Sequence, residues 1–492
     1  MQSGFAPRPI PTEERLSDMA ERPNILLLMS DQHRYDALGC AGNPYIRTPN
    51  LDRLAAEGVR FETAVCTSPL CMPSRATIAT GLYAHAHGIR DNGAGNLPTF
   101  YPTFMRSLQQ AGYHTAVVGK MHFATHGRRE GTHRPDIAHH REHTTALGFH
   151  DVHETEGKMM SEWTDGSWTR YLAARGLLEQ FREDYRRRRT ELPCWYAEPS
   201  VLSEEDHQDA YIGREGVRWL EQYDGGRPFF LWVSWAGPHD PWDAPGRFAT
   251  MYRPEELPPP IADPLERAPA CTLRRVKRHG LARATLVELQ RMKASYYGLI
   301  SLNDDWIGRI LEVLKQRGWL DNTVIVYTSD HGEMLGDHGL IQKSTFYEQA
   351  VRVPFIVRWP ARFAQGAVAR EMVELIDLPA TLMDLAGATI YPAYQGRSLV
   401  PFLEQPARLE REAVFSELNA QLMVRTSRYK YVYRPDEEIQ ELYDLETDPQ
   451  ELNNLAGLPA YASVEHDLRT RLLDWMATTA RPVTTKDMVP HP

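Results

Sequence analysis

Asn24-Ile25-Leu26-Leu27-Leu28-Met29 runs without a break into Ser30-Asp31-Gln32, and far down the chain Thr323-Val324-Ile325-Val326-Tyr327-Thr328 runs into Ser329-Asp330-His331-Gly332-Glu333. Each is a short apolar run with no polar alternation, which suits a strand covered on both faces. The same texture recurs at 115–118, 228–234 and 354–357, so these segments, with 24–29 and 323–328, are predicted strands. Helical patterns lie between them at 50–57, 101–111, 288–317 and 373–386, and Gly112, Gly318 and Gly387 stand just past the last three as C-terminal stops. Strands alternating with helices predict an α/β fold: a large, mostly parallel mixed sheet sandwiched by helices.

The texture changes after about residue 396. Short alternating segments at 422–426 and 429–433, around a Ser427-Arg428 turn, and at 441–445 predict a smaller antiparallel sheet, closed by a helix over 463–479. The expected division is a main domain over 22–395 and a smaller α+β part with a polar tail over 396–492. Within the first, 126–200 is rich in His, Arg, Trp and Glu with weak periodicity. It reads as an insertion over the sheet that serves a substrate pocket or an oligomer contact. The Pro-rich stretch 254–264 reads as an irregular crossing.

Composition narrows the function classes. The 492 residues, 42% hydrophobic and 24% charged, describe an ordinary globular protein. A net charge of −10 argues against nucleic acid as a partner, because phosphate backbones are held by excess Lys and Arg. The local basic runs at 186–189 and 274–278 read as solvated faces. No segment approaches the roughly 20 apolar residues of a membrane span, so no membrane partner is expected. Residues 1–22 lack the apolar core of an export signal, and a cytoplasmic location is expected. Five cysteines, odd in number and without a C-x-x-C pair, suggest neither a disulfide framework nor a zinc site.

Ligands of open α/β sheets bind beyond the carboxyl ends of the strands. Asp31 and Asp330 both follow strands there, each beside a second donor, Gln32 and His331. Either alone reads equally well as a turn cap, but together they can hold one divalent cation from two sides. The strand ending at Val118 leads into Gly119-Lys120-Met121-His122, a cation and an imidazole two residues apart. The strand over 228–234 leads to His239, and Lys343 adds a second cation for an anionic substrate. Cys71-Met72-Pro73-Ser74-Arg75 reads as a loop feeding a helix, which lowers the thiol pKa, and Arg75 favours the anion further. Trp163, Trp168, Trp195 and Trp242 read as core or as the wall of an apolar or cation-holding pocket.

Cys71-Met72-Pro73-Ser74-Arg75 matches every fixed position of C-x-P-S-R, the defining pentapeptide of the formylglycine-dependent sulfatases of the alkaline-phosphatase superfamily. The resemblance extends, in the family order, through Ser30-Asp31-Gln32, Thr48-Pro49-Asn50-Leu51-Asp52, Gly119-Lys120-Met121-His122, Gly237-Pro238-His239, Thr328-Ser329-Asp330-His331-Gly332, Lys343, Tyr347-Glu348 and Tyr443-Asp444-Leu445. It implies that a formylglycine-generating enzyme oxidises Cys71, whose hydrated aldehyde attacks the sulfur of a small sulfate ester. It further implies a metal set of Asp31, Gln32, residue 71, Asp330 and His331. Arg75 and Lys120 would hold the modified residue, His122 would be the base for sulfate release, and His239 and Lys343 would contact the sulfuryl group and leaving oxygen.

Many sulfatases have Asp-Asp and Asp-Asn where this chain has Asp31-Gln32 and Asp330-His331. Calcium is the first expectation, with manganese or zinc as softer alternatives. The same ligand pattern occurs in phosphonate monoester hydrolases and in some sulfatases, including choline sulfatases, and phosphonate monoester or phosphate diester hydrolysis is the rival chemistry. A non-catalytic metal- or anion-binding protein with unmodified Cys71 is the rival from another class. Aryl, alkyl, choline and carbohydrate sulfates all stay open, and a homo-oligomer is implied by resemblance only.

Overall fold

The computed structural model describes residues 22–125, 134–404 and 411–480. The first residues of the expected insertion and the C-terminal tail lie outside them.

Among the described residues, nine strands form the large sheet: β1 (Asn24–Asp31), β2 (Val59–Val65), β3 (His114–Gly119), β4 (Asp151–Glu154), β5 (Phe229–Pro238), β6 (Thr323–Ser329), β7 (Arg352–Val353), β8 (Phe355–Arg358) and β9 (Ala367–Glu374). The order is β4-β3-β5-β1-β6-β8-β2-β7, with β9 also on β2. The run from β4 to β6 is parallel, whereas β8 is antiparallel to both its neighbours. β1 is central. Its side chains alternate between two cores: Ile25, Leu27 and Met29 face one, Leu26 and Leu28 the other. β6 divides in the same way, Val324 and Val326 against Ile325 and Tyr327. A period of two with both faces covered is why these strands carry no polar alternation.

Helices cover both faces: α1 (Pro49–Ala56), α2 (Cys71–Thr80), α3 (Phe104–Gln110), α4 (Leu178–Thr190), α5 (Gln208–Gln222), α6 (Ala270–His279), α7 (Leu286–Gln316) and α8 (Asp377–Leu385). The long α7 begins at a capping box. Thr285 Oγ1 accepts from the Glu288 amide at 3.3 Å, and Glu288 Oε2 accepts from the Thr285 amide at 2.7 Å. It ends before Gly318, whose φ of +68° is left-handed.

A second sheet, antiparallel and four-stranded, runs β10 (Val414–Leu418), β11 (Gln421–Arg425), β12 (Tyr429–Tyr433) and β13 (Glu441–Asp444). The final helix α9 (Ala462–Thr479) lays Leu468, Leu472 and Trp475 over Val424, Tyr431 and Leu442.

Three sequence readings need correction. The helix expected over 373–386 starts only at Asp377, because Val373 and Glu374 end β9 beside β2. The insertion does not merely lie over the sheet: it contributes β4 as an edge strand on β3. Cys71 is not ahead of a helix but is the first residue of α2, every residue of which is buried.

Gly119 ends β3 with φ +105°, and a Cβ there would collide with the Ser234 carbonyl oxygen of β5. Gly119→Ala is expected to lower the unfolding free energy by about 3 kcal/mol. Urea denaturation at unchanged m-value checks this, and unchanged stability would contradict so close an approach of β3 to β5.

Candidate active site

Parallel pairing decides where the chemistry collects. In the order β3-β5-β1-β6, Lys120 follows β3, His239 follows β5, Asp31 closes β1 and Asp330 follows β6. Register sets Asp31 opposite Pro238 and Ser30 opposite Ser329, so the four exits lie at one edge of the sheet.

Helix α2 brings Cys71 and Arg75 to that edge. Ser74 Oγ donates to the Asp330 carbonyl at 2.6 Å, and the Met72 amide donates to Asn92 Oδ1 at 3.0 Å, fixing the first turn. Arg75 is completely buried. Its guanidinium donates to Asp330 Oδ2 (2.8 Å), Asp31 Oδ2 (3.2 Å), the Lys120 carbonyl (2.6 Å) and Ser234 Oγ (3.0 Å). The Lys120 ammonium pairs with the same Asp31 oxygen. Burial and the Cys71 anion would raise the Asp31 pKa, but Lys120, His239 and Arg75 hold it below the ordinary carboxylate range.

Cys71 Sγ lies 3.1 Å from His331 Nε2 and 3.8 Å from Asp31 Oδ1, and His122 hydrogen-bonds the same sulfur. Burial pushes this thiol up, yet Lys343, Lys120 and His331 outweigh it and hold the group well below the usual thiol range. His331 Nδ1 donates to the Gly332 carbonyl at 3.0 Å, which turns Nε2 to the cluster; burial would lower the His331 pKa, but Asp330 and Cys71 raise it. Asp31, Cys71, Asp330 and His331 each offer a ligand atom, all within 4.8 Å of one another and all buried. Two carboxylates, a thiolate-prone sulfur and an imidazole whose Nε2 faces the cluster suit a divalent ion.

On the other side of Asp31, Lys343 Nζ donates to Gln32 Oε1 and lies 2.7 Å from His239 Nε2. Gln32 Nε2 donates to Glu333 and, at 3.3 Å, to Asp240 Oδ1, and Gln342 Nε2 donates to Asp240 Oδ2 at 2.9 Å. Despite burial, which would lower it, the Lys343 pKa is raised by Cys71, Asp31 and Asp240. Gln32, His122, Leu335, His338, Gln342 and Ser344 all have φ between 49° and 71°, a left-handed backbone held in place by the surrounding contacts.

All ten site residues expected from the sequence therefore converge here. Ser234, Asp240, Glu333, Gln342 and Arg275 join them without having been singled out. Asp240 and Glu333 had a signal, since each adjoins or closes a strand-exit string already noted. Arg275 had none. The run 274–278, expected as a solvated face, lies on α6, and Arg275 turns in to donate to the carbonyls of Lys343 and Ser344. In the other run Arg188 is buried on Asp184 at 2.6 Å.

Size does not mark the chemistry. A cavity of about 580 Å³, lined by His114, Asp151, Trp219 and Arg227, sits at the amino ends of β3 and β4, opposite the site. A smaller one of about 160 Å³ touches Asp240 and Gln342. Of the four tryptophans, Trp242 lines the smaller cavity, Trp168 and Trp195 are core, and Trp163 lies under Arg189.

The sulfatase family profile matches residues 23–388. The chain belongs to the sulfatase family. This sulfatase is a sulfuric ester hydrolase with an alkaline-phosphatase-like fold. Residues 336–478 also match the C-terminal region of N-sulphoglucosamine sulphohydrolase. An arylsulfatase of Clostridium perfringens is 32% identical over 89% of this chain and 91% of its own. A choline-sulfatase of Rhizobium meliloti is 30% identical over 89% and 83%. Among solved structures, the phosphonate monoester hydrolase of Agrobacterium radiobacter superposes with a TM-score of 0.76 at 28% identity, covering 93% of this chain and 96% of that one. Among the described residues, no helix is long and apolar enough to cross a membrane.

Because Arg275 ties down both carbonyls around Lys343, Arg275→Ala is expected to cost this sulfatase about tenfold to a hundredfold in kcat/KM through misplacement of the lysine. Steady-state kinetics on an aryl sulfate, with an unchanged circular dichroism spectrum, provide the check.

Proposed function

We propose that the chain hydrolyses a sulfate monoester with residue 71 as nucleophile, after a formylglycine-generating enzyme has oxidised Cys71 to the aldehyde. The observation that carries this reading is the position of Cys71 Sγ, 3.1 Å from His331 Nε2 in a buried cluster bordered by Lys120, Arg75 and Lys343. Asp31, Gln32, Asp330, His331 and residue 71 would hold one divalent ion, calcium first, with manganese or zinc as alternatives. Such an ion would supply Lewis-acid activation of the attacking hydroxyl and would offset charge on the sulfate oxygens. The hydrated aldehyde supplies two hydroxyls. One displaces the alcohol from sulfur, and the other re-forms the carbonyl as sulfate leaves.

The chain's own groups do the rest. Arg75 and Lys120 keep Asp31 ionised and place positive charge where the equatorial oxygens become more negative. His122, at the sulfur of residue 71, takes the proton whose loss expels sulfate; burial, Lys120 and Arg75 hold its pKa below the ordinary imidazole range, so it is neutral and ready to accept. His239 and Lys343, 2.7 Å apart, form the pair that gives a proton to the departing alkoxide.

Phosphonate monoester hydrolysis is the second reading, favoured by the likeness to the Agrobacterium radiobacter enzyme and by the Gln32 and His331 pair. The convergence of Lys120 and His122 on residue 71 supports sulfate esters as the main substrate.

Peptide mass spectrometry is expected to find residue 71 about 18 Da lighter than cysteine, with aryl sulfate turnover dominant over phenylphosphonate turnover and abolished in Cys71→Ala. Dominant phosphonate turnover would reverse the order of substrates, and an unmodified thiol with no turnover would end the mechanism. Chelation is expected to abolish activity, and re-addition of calcium, manganese and zinc in turn identifies the ion by recovery of kcat.

A further inference from the structure

A buried cluster of charge lies behind the turn that carries His239, and none of the chemistry above uses it. Lys158, in the insertion just after β4, has a completely buried side chain. Its ammonium meets Asp243 Oδ1 at 2.5 Å and donates to the Pro241 carbonyl at 2.7 Å. Asp243 is buried too: its Oδ2 accepts from the Tyr185 hydroxyl of α4 at 2.8 Å, and its Oδ1 faces His207 Nε2 at 3.5 Å. Burial would raise the Asp243 pKa, but Lys158, His207 and Arg188 hold it below the ordinary carboxylate range. His207 Nδ1 accepts from the Asp209 amide at 3.3 Å where α5 begins, which turns Nε2 to Asp243.

This cluster ties down one end of the segment 237–243. At the other end the Gly237 amide donates to Asp209 Oδ1 at 2.8 Å, and the Gly237 carbonyl accepts from Asn303 Nδ2 of α7 at 3.2 Å. Pro238 and Pro241 have no amide hydrogen to give. The Pro241 carbonyl and the Asp243 side chain are held instead, both by the one ammonium. Between these anchors stand His239, 2.7 Å from Lys343, and Asp240, which accepts from Gln32 and Gln342. The same stretch of the insertion reaches the neighbouring strand exit. The Thr155 amide donates to the Gly119 carbonyl at 3.0 Å, and a Cβ on Gly157 would stand 3.6 Å from Lys120 Nζ.

A lysine taken fully out of water is costly unless its charge is paired and bonded. Pairing with Asp243 answers that cost. The bond to a backbone carbonyl does more, because it fixes where the chain stands two residues past His239. We propose that Lys158 is a positioning residue for protonation of the leaving group: by joining the Pro241 carbonyl to Asp243 it holds the turn 237–243 so that His239 stays against Lys343. The inference rests on the sulfate ester reading above, in which that pair protonates the departing alkoxide, but the position of the turn can be measured without turnover.

A misplaced acid matters most for a poor leaving group, whose oxygen gathers the most charge in the transition state. Lys158→Met removes both bonds while keeping an apolar stem. It is expected to lower kcat about a hundredfold for phenyl sulfate and less than about tenfold for 4-nitrophenyl sulfate, with KM within about threefold. Mass spectrometry should show residue 71 converted to the same extent as in the unaltered protein. An unpaired Asp243 carboxylate is itself destabilising, so a second variant, Lys158→Met with Asp243→Asn, removes the two charges together and is expected to show the same leaving-group dependence. Crystal structures of the unaltered protein and the double variant should show His239 parted from Lys343, with Asp31, residue 71 and Asp330 in place. Equal loss on both esters in the double variant, or its full recovery, would leave Lys158 only a charge-balancing role and overturn the proposal, as would an unmoved turn. If the unaltered protein cleaves neither ester, the sulfate reading fails separately, and the two crystal structures still decide whether Lys158 holds the turn.

Discussion

Arg75 between Asp31 and Asp330 is the interaction on which the site is built. Two carboxylates at the ends of neighbouring parallel strands, both out of water, repel each other and are each costly to ionise. The planar guanidinium meets one oxygen of each, at 3.2 Å and 2.8 Å, and ties them to the Lys120 carbonyl on the third strand exit. A lysine could supply the charge but not four directed donors. The same bonds fix helix α2 against the sheet, so the residue that would carry the nucleophile is placed by the group that balances the cluster.

Around that core the strand exits are positioned by backbone and the exits' side chains by each other. Gln32, directly after β1, and His122, three residues past β3, hold left-handed conformations; the His122 side chain meets residue 71, and that of Gln32 meets Lys343, Glu333 and Asp240. Gln32, Glu333, Asp240 and Gln342 then form a chain of amides and carboxylates in which each partner fixes the next, and Lys343 and His239 lean on it. A buried polar network of this kind gains rigidity only when its members are satisfied.

The smaller sheet is coupled to the site through charge as well. Glu348, just beyond the loop carrying Lys343, receives Arg425 from β11 at 3.1 Å and Lys430 from β12 at 3.2 Å, while Lys430 also pairs with Glu451. Burial would raise the Glu348 pKa, but Arg425, Lys430 and Arg352 hold it low. The β-strands after residue 411 thereby anchor the segment that returns from the catalytic edge to β7.

Much of this was legible from the chain alone. The apolar runs at β1, β3, β5, β6 and β8 announce themselves because strands covered on both faces need unbroken hydrophobicity, and the polar residues directly after them mark the catalytic edge. β2, β4, β7 and β9 escaped notice: they are mixed in composition, β4 is an edge strand, and pairing with distant partners, not local pattern, makes them strands. The sequence by itself determined which polar and charged side chains stand directly after the strands, since residue type and position after a strand are local properties. Only the tertiary structure decided that Arg75 spans both carboxylates, that Arg275 leaves a basic run to brace Lys343, and that Trp242 walls a cavity beside the site. Those facts depend on contacts between residues far apart in the chain, and no local pattern encodes the distance across which two elements meet.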